Sequence, residues 1–172
     1  VENIPLRYGA LIQAAIAKYN PQYNANLTVA FVESIIFQES NGDPNAQSND
    51  GQDSEGLMQV STAKATIATR SYDVADALSP GGDQYDPAVS IDTGVHLLAI
   101  MDQCGTVNDP QVGAFYGTFP GACADLTLLA AKYQLGPQTA AGTAYSNEVI
   151  TWMQSFSSGT EPTAHGAVPS GC

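Results

Sequence analysis

Apolar residues recur at helical spacing along most of this chain, and connectors rich in Gly, Pro, Asn, Asp and Ser separate the runs. "PLRYGALIQAAIAKYN" (residues 5–20) has Pro5 near a helix start and Leu11, Ile12, Ala15 and Ile16 at helical spacing. It is expected to stop before Pro21, which cannot donate into a helical ladder. "NLTVAFVESIIFQES" (26–40) follows, with Asn26 as its cap and Leu27, Ala30, Phe31, Ser34 and Ile35 on one stripe. Its β-branched residues also suit a strand, but about fourteen uninterrupted residues favour a helix.

"STAKATIATR" reads as a shorter helix begun by Ser61 or Thr62. "DPAVSIDTGVHLLAIMDQC" starts with Asp86 as cap and Pro87 at the first helical position, and Asp109–Pro110 opens "QVGAFYGT". Two more helices are expected around 122–134 and 142–157. Residues 41–56 and 79–86 are loops by composition. The pattern predicts a mainly α domain of about seven helices over residues 1–157, with residues 158–172 as a flexible Gly/Pro/Ser-rich tail.

Length and composition agree with one globular domain: 172 residues, 44% hydrophobic and 13% charged. No apolar run approaches the ~20 residues of a membrane span. The N-terminus has neither a basic start nor an apolar core, so any targeting segment is expected to have been removed. The formal charge of −12, with no Lys or Arg after Lys132, argues against nucleic acid or an anionic membrane as partner. A polyanionic partner would suit acid conditions or high salt. A monomer is expected, and the Ser/Thr/Gly/Ala-rich composition points to a secreted, extracellular protein.

Three cysteines permit one disulfide. Cys104–Cys123 is favoured because both flank the same loop-and-helix segment, whereas Cys172 could pin the tail or pair with another chain. Asn26 heads an Asn-Leu-Thr sequon, an acceptor for N-glycosylation in a eukaryotic host.

The chemistry concentrates in "FQESNGDPNAQSNDGQDSEGLMQV" (37–60). Glu39 ends an apolar helical run, behind Ile35, Ile36 and Phe37. A helix C-terminus and apolar neighbours both disfavour a carboxylate, as a general acid requires. Taken alone, such a Glu reads as a solvated helix end. Its neighbours change that. Glu39-Ser40, then "PNAQS" at 44–48, then "GLMQV" at 56–60 resembles the family of soluble lytic transglycosylases and goose-type lysozymes. "DPAVSIDTGVHLL" (86–98), "GAFYGTFPG" (113–121) and "AYSNEVI" (144–150) are similar to its later motifs, so the likeness covers roughly residues 25–157.

The resemblance implies a lysozyme-like helical fold with a substrate groove. It implies cleavage of the β-1,4 bond between N-acetylmuramic acid and N-acetylglucosamine in peptidoglycan, or of chitin-like polymers, with no cofactor and no metal. By position Glu39 would protonate the glycosidic oxygen, and Ser48, Met58, Gln59 and Tyr116 would bind the sugar. Without the resemblance, Met58 reads as core and Ser48 as a turn residue. The chain departs from the family pattern at Gly117, Ser90 and Thr62, where the family has Asn, Asn and Pro. Those departures bear on substrate preference.

A hydrolase that inverts the anomeric centre needs a second carboxylate ~6.5–9.5 Å away. A lytic transglycosylase needs none, because the muramyl 6-hydroxyl attacks internally. Goose-type lysozymes carry an Asp six residues before the Gly of Gly-Leu-Met-Gln, and Asp50 stands there, with Asp53 and Glu55 behind it as weaker candidates. The same three acids also read as solvated loop charges. The acidic loop tilts the expectation slightly toward hydrolysis. A non-catalytic amino-sugar-polymer binder is the rival from another class.

The loop lacks the spacing of a calcium site, and Cys104, Cys123 and two distant histidines have no metal-ligand spacing. His96 reads as a packed or groove-facing residue, and Tyr145, Trp152 and Phe156, at helical spacing, as core.

Overall fold

The computed structural model describes residues 3–48, 53–62, 65–67 and 70–162. Among them are seven helices and three two-stranded antiparallel hairpins. The helices are α1 (Ile4–Tyr23), α2 (Val29–Ser40), α3 (Val74–Leu78), α4 (Pro87–Asp102), α5 (Gly113–Tyr116), α6 (Leu126–Leu135) and α7 (Ala144–Ser157). The mainly α expectation holds.

Local chemistry explains most boundaries. The Asp86 side chain accepts from the backbone N–H of Ala88, and Pro87 fills the first turn of α4, as the sequence predicts. Asp125 caps α6, and Thr143 with Ser146 forms a capping box on α7.

Three expectations are corrected. α1 runs through Pro21 to Tyr23, because a proline in a final turn forfeits one backbone bond and the left-handed Asn24 closes the end with a bond to Asn20. The cap of α2 is Thr28, not Asn26: Thr28 is extended and its hydroxyl accepts from the N–H of Phe31. "STAKATIATR" does not form a helix. Val60–Ser61 is β2, paired with β1 (Ser54–Glu55), while Ala65–Ile67 (β3) pairs with Arg70–Tyr72 (β4). The β-branched Thr and Ile content outweighs the helical spacing there.

A third hairpin pairs β5 (Thr106–Val107) with β6 (Phe119–Pro120). Nearby, Cys104 and Cys123 form a disulfide, the favoured pairing; Cys172 lies outside the described residues. Buried Asp102 ties this corner to the α1–α2 connection by accepting from the N–H groups of Ala124 and Asn26, each at 2.8 Å.

α4 is the central element, buried from Thr93 to Asp102 and packed against α1 and α6. α2 lies between α1 and α7 and is buried from Phe31 to Ser40. Such burial all round marks a core helix rather than an amphipathic surface helix. His96 is a packed residue: its ring stacks on Tyr19 at 4.2 Å, a 2.7 Å hydrogen bond joins it to the Tyr23 hydroxyl, and burial lowers its pKa. At the far end, Glu161 accepts from the N–H of Ile4 at 2.9 Å and so satisfies a donor of the first turn of α1. Among the described residues, no helix is long and apolar enough to cross a membrane.

Candidate active site

Glu39 occupies the last turn of α2 and is 3% exposed. Its position follows from the helix: Ile35, Ile36 and Phe37 are locked into the core, and the left-handed Asn41 ends the helix just beyond. The hydroxyl of Tyr145, on the first turn of α7, donates to Glu39 Oε1. That bond fixes the rotation of the carboxyl group.

The α2–α7 packing that sets it is itself bonded and stacked. Trp152 Nε1 donates to Gln38 Oε1 at 2.7 Å, Gln38 Nε2 donates to Glu148 at 2.9 Å, and Phe37 meets Trp152 edge-on and Phe156 likewise. Trp152 and Phe156 are thus core-packing residues, as expected. Tyr145 is not merely core. Its helical spacing hid a role that the likeness of "AYSNEVI" to a tyrosine-bearing closing helix could have signalled.

The segment Gly56–Gln59 is held from three sides. Ser40 Oγ donates to the Leu57 carbonyl at 2.9 Å, the Met58 N–H donates to Ser90 Oγ at 3.2 Å, and the Tyr133 hydroxyl donates to the Met58 carbonyl at 2.6 Å. Ser90, one of the departures from the family pattern, therefore has a positioning contact of its own. Two glycines permit the fit. A Cβ on Gly56 would stand 1.9 Å from the Gln84 carbonyl oxygen, and one on Gly94 would stand 2.6 Å from the Met58 side chain.

Met58 is fully buried, so in this structure it is a core residue seated on Gly94. Gln59 is 8% exposed, and its Nε2 donates to the carbonyls of Ala46 and Gly56, which closes the loop against itself. Ser48 crosses the same loop: its N–H donates to the Ser54 carbonyl and its hydroxyl accepts from the Ser54 N–H. These three residues brace the loop in this structure. Tyr116 is half-buried at the end of α5, between Phe115 and Phe119, and burial pushes its hydroxyl up to about 12.

Asp50 lies outside the described residues. Asp53 is exposed, with a left-handed backbone whose carbonyl accepts from the N–H and hydroxyl of Thr62. Glu55, on β1, lies against the Tyr85 hydroxyl, whose pKa rises through burial first and this carboxylate second. Among the described residues, no group of three or more His, Cys, Asp or Glu side chains is gathered as a metal ion would require.

A buried glutamate at the end of a core helix, faced by a tyrosine from the last helix over a braced loop, belongs to a lysozyme-like helical domain. The model of the transglycosylase SLT domain family matches residues 12–146, and the chain belongs to that family. No curated protein matches it. Among solved structures it is similar to the 70 kDa soluble lytic transglycosylase of Escherichia coli, at 17% identity and a TM-score of 0.54, over 95% of this chain and 26% of that one. It is also similar to an inactive variant of lytic transglycosylase Slt from Pseudomonas aeruginosa, at 16% identity and a TM-score of 0.49, over 93% of this chain and 26% of that one. The chain thus spans about a quarter of the length of these proteins. The family resemblance drawn from the motifs is borne out.

Proposed function

We propose that this domain cleaves β-1,4 glycosidic bonds between N-acetylmuramic acid and N-acetylglucosamine in peptidoglycan, with Glu39 as general acid. The observation that carries the reading is the pairing of buried Glu39 with the Tyr145 hydroxyl inside an SLT-family domain. A protonated carboxyl held in one rotation can deliver its proton to a glycosidic oxygen at low reorganisation cost. A binding module needs no carboxyl held in one rotation by a tyrosine.

Two fates of the oxocarbenium-like centre are chemically open. Attack by water needs a carboxylate on the opposite face of the sugar; attack by the muramyl 6-hydroxyl closes a 1,6-anhydro ring without one. Glu55, engaged with Tyr85, and exposed Asp53 are the weaker base candidates, and Asp50, the first, lies outside the described residues. The acidic loop suggests hydrolysis, whereas the name of the matching family supports the internal route. The disulfide supports action in an oxidising, extracellular compartment.

Mass spectrometry of products from purified peptidoglycan, with chitin oligomers in parallel at mildly acidic pH, tests the reading. Products one water lighter mean the internal route, and reducing muramic acid ends mean hydrolysis with Asp50 as the next residue to change. Cleavage of chitin oligomers alone would move the substrate to N-acetylglucosamine polymers. Glu39→Gln is expected to bind glycan and lose nearly all turnover. Turnover retained by that variant removes Glu39 from the chemistry.

A further inference from the structure

α6 and α7 are joined by residues 136–143, and this connection is pinned at both ends to the candidate site. Before it, Tyr133 bonds the Met58 carbonyl; after it, Tyr145 bonds Glu39. From α6, the buried ammonium of Lys132 donates into it, to the carbonyls of Pro137 at 2.6 Å and Thr139 at 2.7 Å. Both backbone neighbours of Gln138 are therefore fixed, although the Gln138 side chain itself is exposed.

The Gln138 side chain reaches across to the turn after α5. Its Nε2 donates to the carbonyls of Tyr116 at 3.3 Å and Thr118 at 2.9 Å, so both amide hydrogens are used. Two carbonyl partners also settle which end of the amide is the nitrogen. Oε1 is left as an oriented acceptor at the surface, without a partner among the described residues.

Gly117, the residue straddled by those two bonds, has φ 62° and ψ −151°, a conformation essentially reserved for glycine. A Cβ there would meet nothing within 4 Å, so the space above the turn is open. Gly117 brings no side chain to the turn, and the carbonyls on either side of it are bonded by the Gln138 amide.

We propose that Gln138 is a specificity-determining residue of the glycan site, whose Oε1 accepts the N–H of a 2-acetamido group on the bound sugar. The inference rests on the glycan-cleaving reading of the same site. A neutral amide oxygen suits the acetamido group, because that group presents a neutral N–H donor, and the contact needs no cation on a chain of charge −12.

Steady-state kinetics of the full chain on soluble peptidoglycan fragments tests this. Gln138→Ala is expected to raise KM roughly three- to tenfold with kcat within about twofold of wild type, the signature of a lost ground-state contact worth one hydrogen bond. In the non-cutting Glu39→Gln background, the same change is expected to weaken the binding of an N-acetylglucosamine tetramer by a similar factor. An unchanged KM overturns the proposal. So does a fall in kcat that tracks a fall in melting temperature, since Gln138 would then only brace the Tyr116–Thr118 turn. Absence of cleavage by the wild-type chain removes the underlying reading instead, so the two failures are distinguishable.

Discussion

The hydroxyl of Tyr145 donates a hydrogen bond to Oε1 of Glu39 across 106 residues of chain, where the first turn of α7 meets the last turn of α2. The contact joins the acid to the element that follows every other part of the site. Removing the hydroxyl while keeping the ring frees the carboxyl to rotate without disturbing the packing. Tyr145→Phe is expected to lower kcat about tenfold and leave KM nearly unchanged, because the bond orients the acid and does not touch the sugar. Wild-type kcat in that variant would mean that contacts other than the Tyr145 hydroxyl position Glu39.

Ser40 has the second positioning bond. Its hydroxyl donates to the Leu57 carbonyl and accepts from the Gly42 N–H at 3.2 Å, both in the interior. Ser40→Ala strands those groups and is expected to destabilise the domain by about 1–3 kcal/mol in urea denaturation. A loss well below that range would show that the Leu57 carbonyl finds another donor.

The two glycines around Met58 should differ in tolerance. At Gly56, φ is +74° and the obstacle is the backbone oxygen of Gln84, which cannot step aside. At Gly94 φ is ordinary for a helix and the obstacles are Met58 Cε, Cγ and Cβ; the outer two can repack, while the Cβ yields only with a shift of its backbone. Gly56→Ala is therefore expected to cost roughly 3 kcal/mol or more, or to prevent folding, and Gly94→Ala about 1–3 kcal/mol. Equal losses in parallel denaturation curves would contradict the geometry.

Glu33 gives the domain a pH dependence separate from catalysis. Burial first, and the carboxylate of Glu161 second, push it from an ordinary 4.5 to about 7. Its favourable contribution is complete below 4.5 and is lost as pH rises through about 7, because the folded state resists ionising it. The melting temperature of the wild type should therefore fall more steeply between pH 5 and 8 than that of Glu33→Gln. Parallel profiles would place the ionisation elsewhere.

Short-range signals carried much of the fold. Asp86–Pro87 marks the start of α4, and the apolar runs mark α1, α2, α6 and α7, because caps and helical periodicity are decided within a few residues. The same logic misread residues 61–70 as a helix, where Val60–Ser61 pairs with Ser54–Glu55 and Ala65–Ile67 pairs with Arg70–Tyr72. It also placed the cap of α2 at Asn26, two residues early, since an Asn before an apolar run satisfies the same pattern as Thr28.

The motif around Glu39 was legible because the acid, its helix and the Gly-Leu-Met-Gln segment lie close in sequence. Which side chains serve that acid was not. Met58 and Gln59, inside the motif, are turned inward to build the loop, while Tyr145 was assigned to the core and touches the acid. Ser90, Tyr133 and Gln138 act through bonds to backbone groups 20 to 75 residues away. Local sequence sets which residues are helical and which are apolar; which hydroxyl meets which carboxylate depends on how α7 and α6 dock onto α2 and α4. That docking is decided by packing across the whole interior, a sum over contacts that no short stretch contains.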